Sequence, residues 1–268
     1  MAAIVLALAL QDPEVELRAR FLAGYDTNLL GVSRDAELVD DAPRESLVAG
    51  VDAVARVSVG ALSAELANAS RVFAAEPALS FTDATFALAA RASVDDVDLR
   101  VRASLSDAHL AGDGHFRTLR AFEPSIEWRE FAAWAAIGSV DYYGDQERDG
   151  SWRAAGLGAR FELDAWTLRL DFRFLDARGE DGRREWAPGL TLTAPDVLGV
   201  VPSLSLACTV AGYESSREDR RLSVTLSLAH ETGLRLGVRF EDARSNRDAF
   251  TFTRWQAQVE CEFLVARF

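Results

Sequence analysis

The sequence predicts an all-β protein: a closed, antiparallel, up-and-down transmembrane β-barrel of about fourteen strands, within a range of roughly twelve to sixteen. Three observations predict it. Apolar and polar residues alternate from end to end; the segment from Trp166 to Phe174 sets Trp166, Leu168, Leu170, Phe172 and Phe174 against Thr167, Arg169, Asp171 and Arg173. Period-two alternation means strands with one apolar and one polar face. The connections also alternate, longer charged loops on one side and short turns on the other, a segregation typical of outer-membrane barrels and without reason in a soluble sandwich. Finally, the amphipathic aromatics Tyr25, Trp128, Tyr142, Tyr143, Trp152, Trp166, Trp186, Tyr213 and Trp255 gather at strand ends, as in the girdles at two membrane interfaces.

Taken in order, residues 15–26 place Val15, Leu17, Ala19, Phe21, Ala23 and Tyr25 on one face and Glu16, Arg18, Arg20 and Gly24 on the other. After a long acidic loop over 27–45, the chain returns through Leu47, Ala49, Val51, Ala53, Ala55 and Val57, opposed by Asp52 and Arg56. Residues 62–73 are ambiguous. Leu62, Leu66, Ala69 and Phe73 have helical spacing, yet an up-going strand is expected here because the strand count needs one. Strands over 81–94 and from Val97 onward flank a tight Asp95-Asp96 turn. The pair 116–128 and 131–143 turns at Arg129-Glu130, with Trp134 and Ala136 blurring the second apolar set. Ala155 to Leu163 leads through Asp164-Ala165 into the Trp166 strand, followed by a polar loop over 178–185. Leu190, Leu192 and Ala194 form a short strand that Pro195-Asp196 breaks. Two more hairpins carry Leu204 to Val210, Leu222 to Leu228 and Leu234 to Phe240 before a last strand ends at Phe268. Trp255, Ala257, Val259, Cys261 and Phe263 are out of phase with Phe268, so a β-bulge near 263–265 is expected.

Composition bounds the function. The net charge of −13 argues against nucleic acid as a partner, because that polyanion rewards a basic surface. All 29 basic residues are arginine, a bias that carries no functional weight here. Cys208 and Cys261 are too few for a disulfide scaffold and fall on apolar faces; free thiols are expected, with a disulfide as the minor alternative. Residues 1–10 read as a signal peptide, its basic start missing, with Ala7-Leu8-Ala9 fitting a small-x-small cleavage site and 11–268 forming the single barrel domain. The expected location is the outer membrane of a Gram-negative-type envelope, with outer-membrane lipid and the barrel-assembly machinery as partners.

If the apolar face meets lipid, the polar face lines a lumen. Its expected residues are Arg18, Arg20, Asp52, Arg56, Asp98, Arg100, Arg102, Arg160, Glu162, Arg169, Asp171, Arg173, Arg235, Arg239, Glu241, Arg254, Glu260 and Glu262. Such charges are either hydrated in a channel for small solutes or paired in a lattice that props a closed barrel. A structural or assembly barrel without a pore and a soluble periplasmic all-β binding protein are the alternatives. No cofactor and no catalytic residue is expected. An enzymatic barrel would have to use His109 and His115 in one outer loop, where Asp113 could complete a weak metal site; His230 stands apart beside Glu231.

The stretch Gly24-Tyr25-Asp26-Thr27-Asn28 resembles a Gly-Tyr-Asp-Ser/Thr-Asn signature found at the start of some β-barrel porins and of the barrel domain of surface lipoprotein assembly modifiers. The resemblance implies a barrel of about fourteen strands. In the assembly modifiers a helical repeat domain precedes the barrel, and in this sequence the signature follows the signal-like segment almost directly. Phe268 likewise resembles the C-terminal aromatic signal of outer-membrane barrels.

Overall fold

The computed structural model describes residues 12–28, 45–111, 114–143, 149–179 and 182–268. The signal-like segment, Asp113 and most of the first long loop lie outside them. The strands are β1 (Glu14–Asp26), β2 (Ser46–Val59), β3 (Leu62–Phe73), β4 (Phe81–Val94), β5 (Val97–Leu110), β6 (Gly114–Trp128) and β7 (Phe131–Tyr142). They continue as β8 (Gly150–Leu163), β9 (Trp166–Arg178), β10 (Arg183–Thr193), β11 (Val200–Tyr213), β12 (Glu218–His230), β13 (Leu234–Ser245) and β14 (Phe252–Arg267). Each pairs antiparallel with its sequence neighbours, and β14 pairs with β1, closing the barrel. Closure removes every open strand edge, which is what a sheet surrounded by hydrocarbon requires.

The molecule is turned inside out relative to a soluble fold. Among the described residues no large side chain is fully buried, and the buried ones are mostly alanines and carboxylates. The large apolar residues stand outside instead: Leu47 is 64% exposed, Ile137 61% and Leu157 62%. A continuous apolar wall of this kind has lipid as its natural solvent.

Residues 62–73 form a full strand, β3, hydrogen-bonded to β2 and to β4. The helical spacing loses because both flanking strands offer unpaired edges, and Leu62 and Leu66 share the outward face with Val72. The short connections at one end run over 60–61, 95–96, 129–130, 164–165, 194–199 and 231–233; the other end carries the remaining seven. Several short turns put their first residue in the left-handed region, with φ of 57° at Gly60, 52° at Asp95 and 54° at Asp164. Aspartate tolerates that conformation better than most residues.

Two expected loops are shorter than expected. His109 lies within β5 and His115 within β6, since the pairing continues to Leu110 and Gly114. Likewise β10 starts at Arg183 rather than near Leu190, and it ends at Thr193, leaving Ala194 outside. The strand runs through Pro188: pairing with β9 is continuous there, whereas pairing with β11 skips Ala187 and Pro188. The ladder gap accommodates a residue that has no N–H to donate.

The expected bulge is present. Leu17 pairs with Ala266 and Arg18 with Leu264, so Val265 faces no partner residue. The extra residue restores the phase, and the Phe268 carbonyl accepts from the Val15 N–H on the seam at 3.0 Å.

Candidate lumen of the barrel

The pairing registers decide which side chains share the inner face. Arg20 stands opposite Asp52 and Glu262, and Asp52 opposite Ala69. Carried round the barrel, this places all eighteen expected lumen residues inside, because β-pairing keeps cross-strand partners on one face.

They form a lattice along the wall. Arg18 reaches Glu16 at 2.7 Å and Glu262 at 3.4 Å. Arg20 bonds Asp52 through Nε at 2.8 Å and Glu260 at 3.3 Å. Asp52 also accepts from Arg71 at 3.2 Å. Glu65 joins Arg56 and Arg102, each at 3.1 Å. Arg235 approaches Glu260 at 3.9 Å and Arg239 approaches Glu241 at 3.3 Å. On the far side Arg160 pairs with Glu162 and Arg169 with Asp171, each at 2.8 Å, while Arg173 pairs with Glu185. Asp98 accepts from Arg91 at 2.9 Å; Arg100 makes no ion pair among the described residues. Inward arginines and carboxylates are close to equal in number among those residues, so the net negative charge of the chain is carried elsewhere.

Glu65, Arg71, Glu185 and Asp26 were not among the expected lumen residues. The first two lie in the ambiguous stretch and Glu185 in the expected loop, so only the strand assignment could have found them. Between the charged arcs, β10 to β12 line the wall with hydroxyls: Thr191 meets Ser205 at 2.9 Å and Ser203 meets Ser227 at 2.6 Å.

Three residues expected at the membrane interface point inward. Trp152 pairs opposite Gly138 and Ala177, Tyr142 opposite Arg117, and Tyr213 opposite Arg183. Position near a strand end places an aromatic in height, but its parity along the strand decides the face. Tyr25, Trp128, Trp166, Trp186 and Trp255 do stand outside, each at least 40% exposed, and Tyr143 is 74% exposed. Trp152 and Trp134 lie flat on the inner wall. A Cβ at Gly138 or Gly156 would overlap the Trp152 or Trp134 ring, so those glycines exist to let an indole lie against backbone.

The wall is wet. Side chains of Arg160 and Arg169 are 67% and 65% exposed although they face inward. Fourteen strands spaced about 4.8 Å apart and tilted about 40° give a backbone cylinder of radius about 14 Å. Opposite walls are then about twice as far apart as two extended arginines can bridge. Accordingly, every ion pair among the described residues joins side chains on the same, adjacent or next-adjacent strands, or on the turns between them.

The histidines lie outside this arrangement. His109 and His115 stack with centroids 5.0 Å apart, and His115 Nε2 lies 3.6 Å from Asp107, all at the long-loop end. His230 contacts Thr232 at 2.8 Å at the other end. Among the described residues no three potential ligands gather as a metal site would require. Cys208 and Cys261 are free and lie on the apolar face, on β11 and β14, with β12 and β13 between them.

The signature stretch closes the barrel seam. Asp26, 3% exposed, accepts from Arg254 Nε at 2.9 Å, from Gln256 at 3.0 Å and from the Asn28 N–H at 3.0 Å. Thr27 Oγ1 accepts from the Trp255 N–H at 2.8 Å, and Tyr25 bonds Glu45.

No family model matches the sequence, and no curated protein matches it. Solved structures do resemble it in fold. A loop-deletion form of OmpT, an outer-membrane protein of Vibrio cholerae, superposes with a TM-score of 0.53 at 9% identity, covering 94% of this chain and 99% of that one. OmpF of Salmonella typhi, in complex with daunomycin, gives 0.55 at 9% identity over 93% and 97%. A bacterial polysaccharide outer-membrane secretin gives 0.54 at 9% identity over 94% and 99%. At these identities the likeness is one of fold.

Proposed function

We propose that this chain is a passive outer-membrane channel that admits small polar solutes through a hydrated, mixed-charge lumen. The observation that carries the reading is the confinement of the ion pairs to the wall: among the described residues none spans the barrel from one side to the other. The outer-membrane barrels it resembles, OmpF among them, support the membrane placement and the porin-like form. Arginines and carboxylates in near balance favour weak selection between anions and cations, since rows of one sign are what select strongly. The Ser and Thr arc on β10 to β12 adds donors and acceptors for uncharged solutes.

Planar-bilayer recording tests this. Stepwise conductance is expected, with a reversal potential close to zero in a potassium chloride gradient. Silent insertion of heat-modifiable barrels would sink the channel reading and favour the second one, a structural or assembly barrel. The specific observation behind that second reading is the density of the Arg–carboxylate lattice on β13 to β5, which stiffens one half of the wall.

A further inference from the structure

The outward face differs between its two ends. Near the short turns its residues are apolar, among them Val57, Leu62, Val94, Trp128, Phe131 and Trp166. Near the long loops it carries arginines. Arg153, Asp176 and Arg184 face one another across β8, β9 and β10. The Asp176 side chain is 7% exposed and is shared by Arg153 at 2.6 Å and Arg184 at 3.5 Å, whose own side chains are 62% and 74% exposed. One enclosed carboxylate thus holds two arginines and leaves a positive balance facing out.

A second pair lies on the same belt. Arg220 and Arg244 are direct cross-strand partners on β12 and β13. Arg244 is held by Asp242 at 3.0 Å, whereas Arg220 has no ion pair among the described residues. Like charges directly opposite each other are destabilising, so the arrangement favours an anion between them. Glu218 is the acid in line with Arg184, with Gly212 between. Immediately toward the membrane come Phe174, Trp186 and Leu222, the start of the apolar wall.

We propose that Arg153, Arg184, Arg220 and Arg244 form a docking belt for phosphate-bearing headgroups of an anionic lipid in the outer leaflet, the side on which outer-membrane barrels carry their longer loops, its acyl chains lying on the wall below. Guanidinium forks pair bidentately with phosphate oxygens, and apolar surface directly beneath a charged row matches an amphiphile rather than a soluble anion. The inference rests on the membrane placement proposed above. It does not depend on whether the barrel conducts.

The test is lipid retention by the full chain in a neutral detergent, read by native mass spectrometry. The probes are a diphosphorylated acylated glucosamine disaccharide (lipid A), phosphatidylcholine, and inorganic phosphate. Lipid A is expected to stay bound, and the pairs Arg153→Gln with Arg184→Gln, or Arg220→Gln with Arg244→Gln, should each weaken it roughly tenfold. The lumen variant Arg235→Gln should retain it. Heat-modifiable migration verifies folding, and the single variant Arg220→Gln, which breaks no ion pair, replaces any pair that fails to fold. Unchanged retention in the belt variants, or equal binding of phosphatidylcholine, would overturn the proposal. Binding of inorganic phosphate as tight as that of lipid A would overturn the choice of a lipid. A barrel that is silent in bilayers yet shows arginine-dependent retention would refute the channel alone.

Discussion

Replacing Asp26 with alanine should weaken the closure of the barrel more than loss of any other single carboxylate named above. The carboxylate is 3% exposed and serves three donors: Arg254, Gln256 and the Asn28 N–H. Its removal leaves a guanidinium only 22% exposed without its partner, together with an amide and a backbone N–H. Breaking a buried pair by deleting one member costs about 3–5 kcal/mol, and the orphaned neutral donors keep the value in the upper part of that range unless water enters. With a urea dependence near 2 kcal/mol per molar, a loss of about 4 kcal/mol lowers the unfolding midpoint by roughly 2 M. The assay is urea unfolding of the barrel in lipid vesicles, followed by tryptophan fluorescence and by gel migration. Asp26→Ala, Arg254→Ala and the double variant complete a cycle in which the double should cost much less than the sum. Glu262→Gln is the comparison, because the Arg18–Glu262 pair is 50% and 43% exposed and should shift the midpoint little. A midpoint for Asp26→Ala within about 0.3 M of the parent, or additive single changes, would refute the seam argument.

Three further outcomes follow from the same geometry. Leu170→Arg, outward at mid-wall, should cost about 2–4 kcal/mol in vesicle unfolding, whereas Thr191→Arg, inward on the next strand, should cost far less; equal costs would contradict the assigned faces. Gly156→Leu should disrupt packing because its Cβ overlaps Trp134, costing about 1–3 kcal/mol, and Trp134→Ala in the same chain should restore most of it. Deleting Val265, which faces no partner, should leave a heat-modifiable barrel, while deleting Ala257 from the uninterrupted stretch should abolish it by swapping faces on one side of the cut.

Much of this architecture was legible because a barrel in lipid writes its faces directly into parity. The Trp166 strand shows how far that goes: Leu168, Leu170 and Phe172 stand outside and Arg169, Asp171 and Arg173 inside, as alternation alone requires. Alternation also exposed the phase error before Phe268, and a bulge at Val265 resolves it. Parity failed where the local pattern was weak. Residues 62–73 carry small and polar residues on both faces, so only the strand count argued for a strand there; pairing to both neighbours makes it one, and with it Glu65 and Arg71 entered the lumen. Trp152 and Tyr142 were misplaced because an aromatic near a loop fits an interface by height, while only the register with Gly138 and Arg117 gives its side.

The sequence by itself therefore determined the class of fold, the strand number, the two unlike ends and the common face of eighteen of the charged residues on the inner wall. Each follows from a local period of two and from the spacing of turns. Which charge meets which was decided only by the tertiary structure. Arg20 between Asp52 and Glu260, or Asp176 between Arg153 and Arg184, depends on cross-strand register, and the Asp26–Arg254 seam joins residues at opposite ends of the chain. Register is a property of pairs of strands, and no single strand carries it.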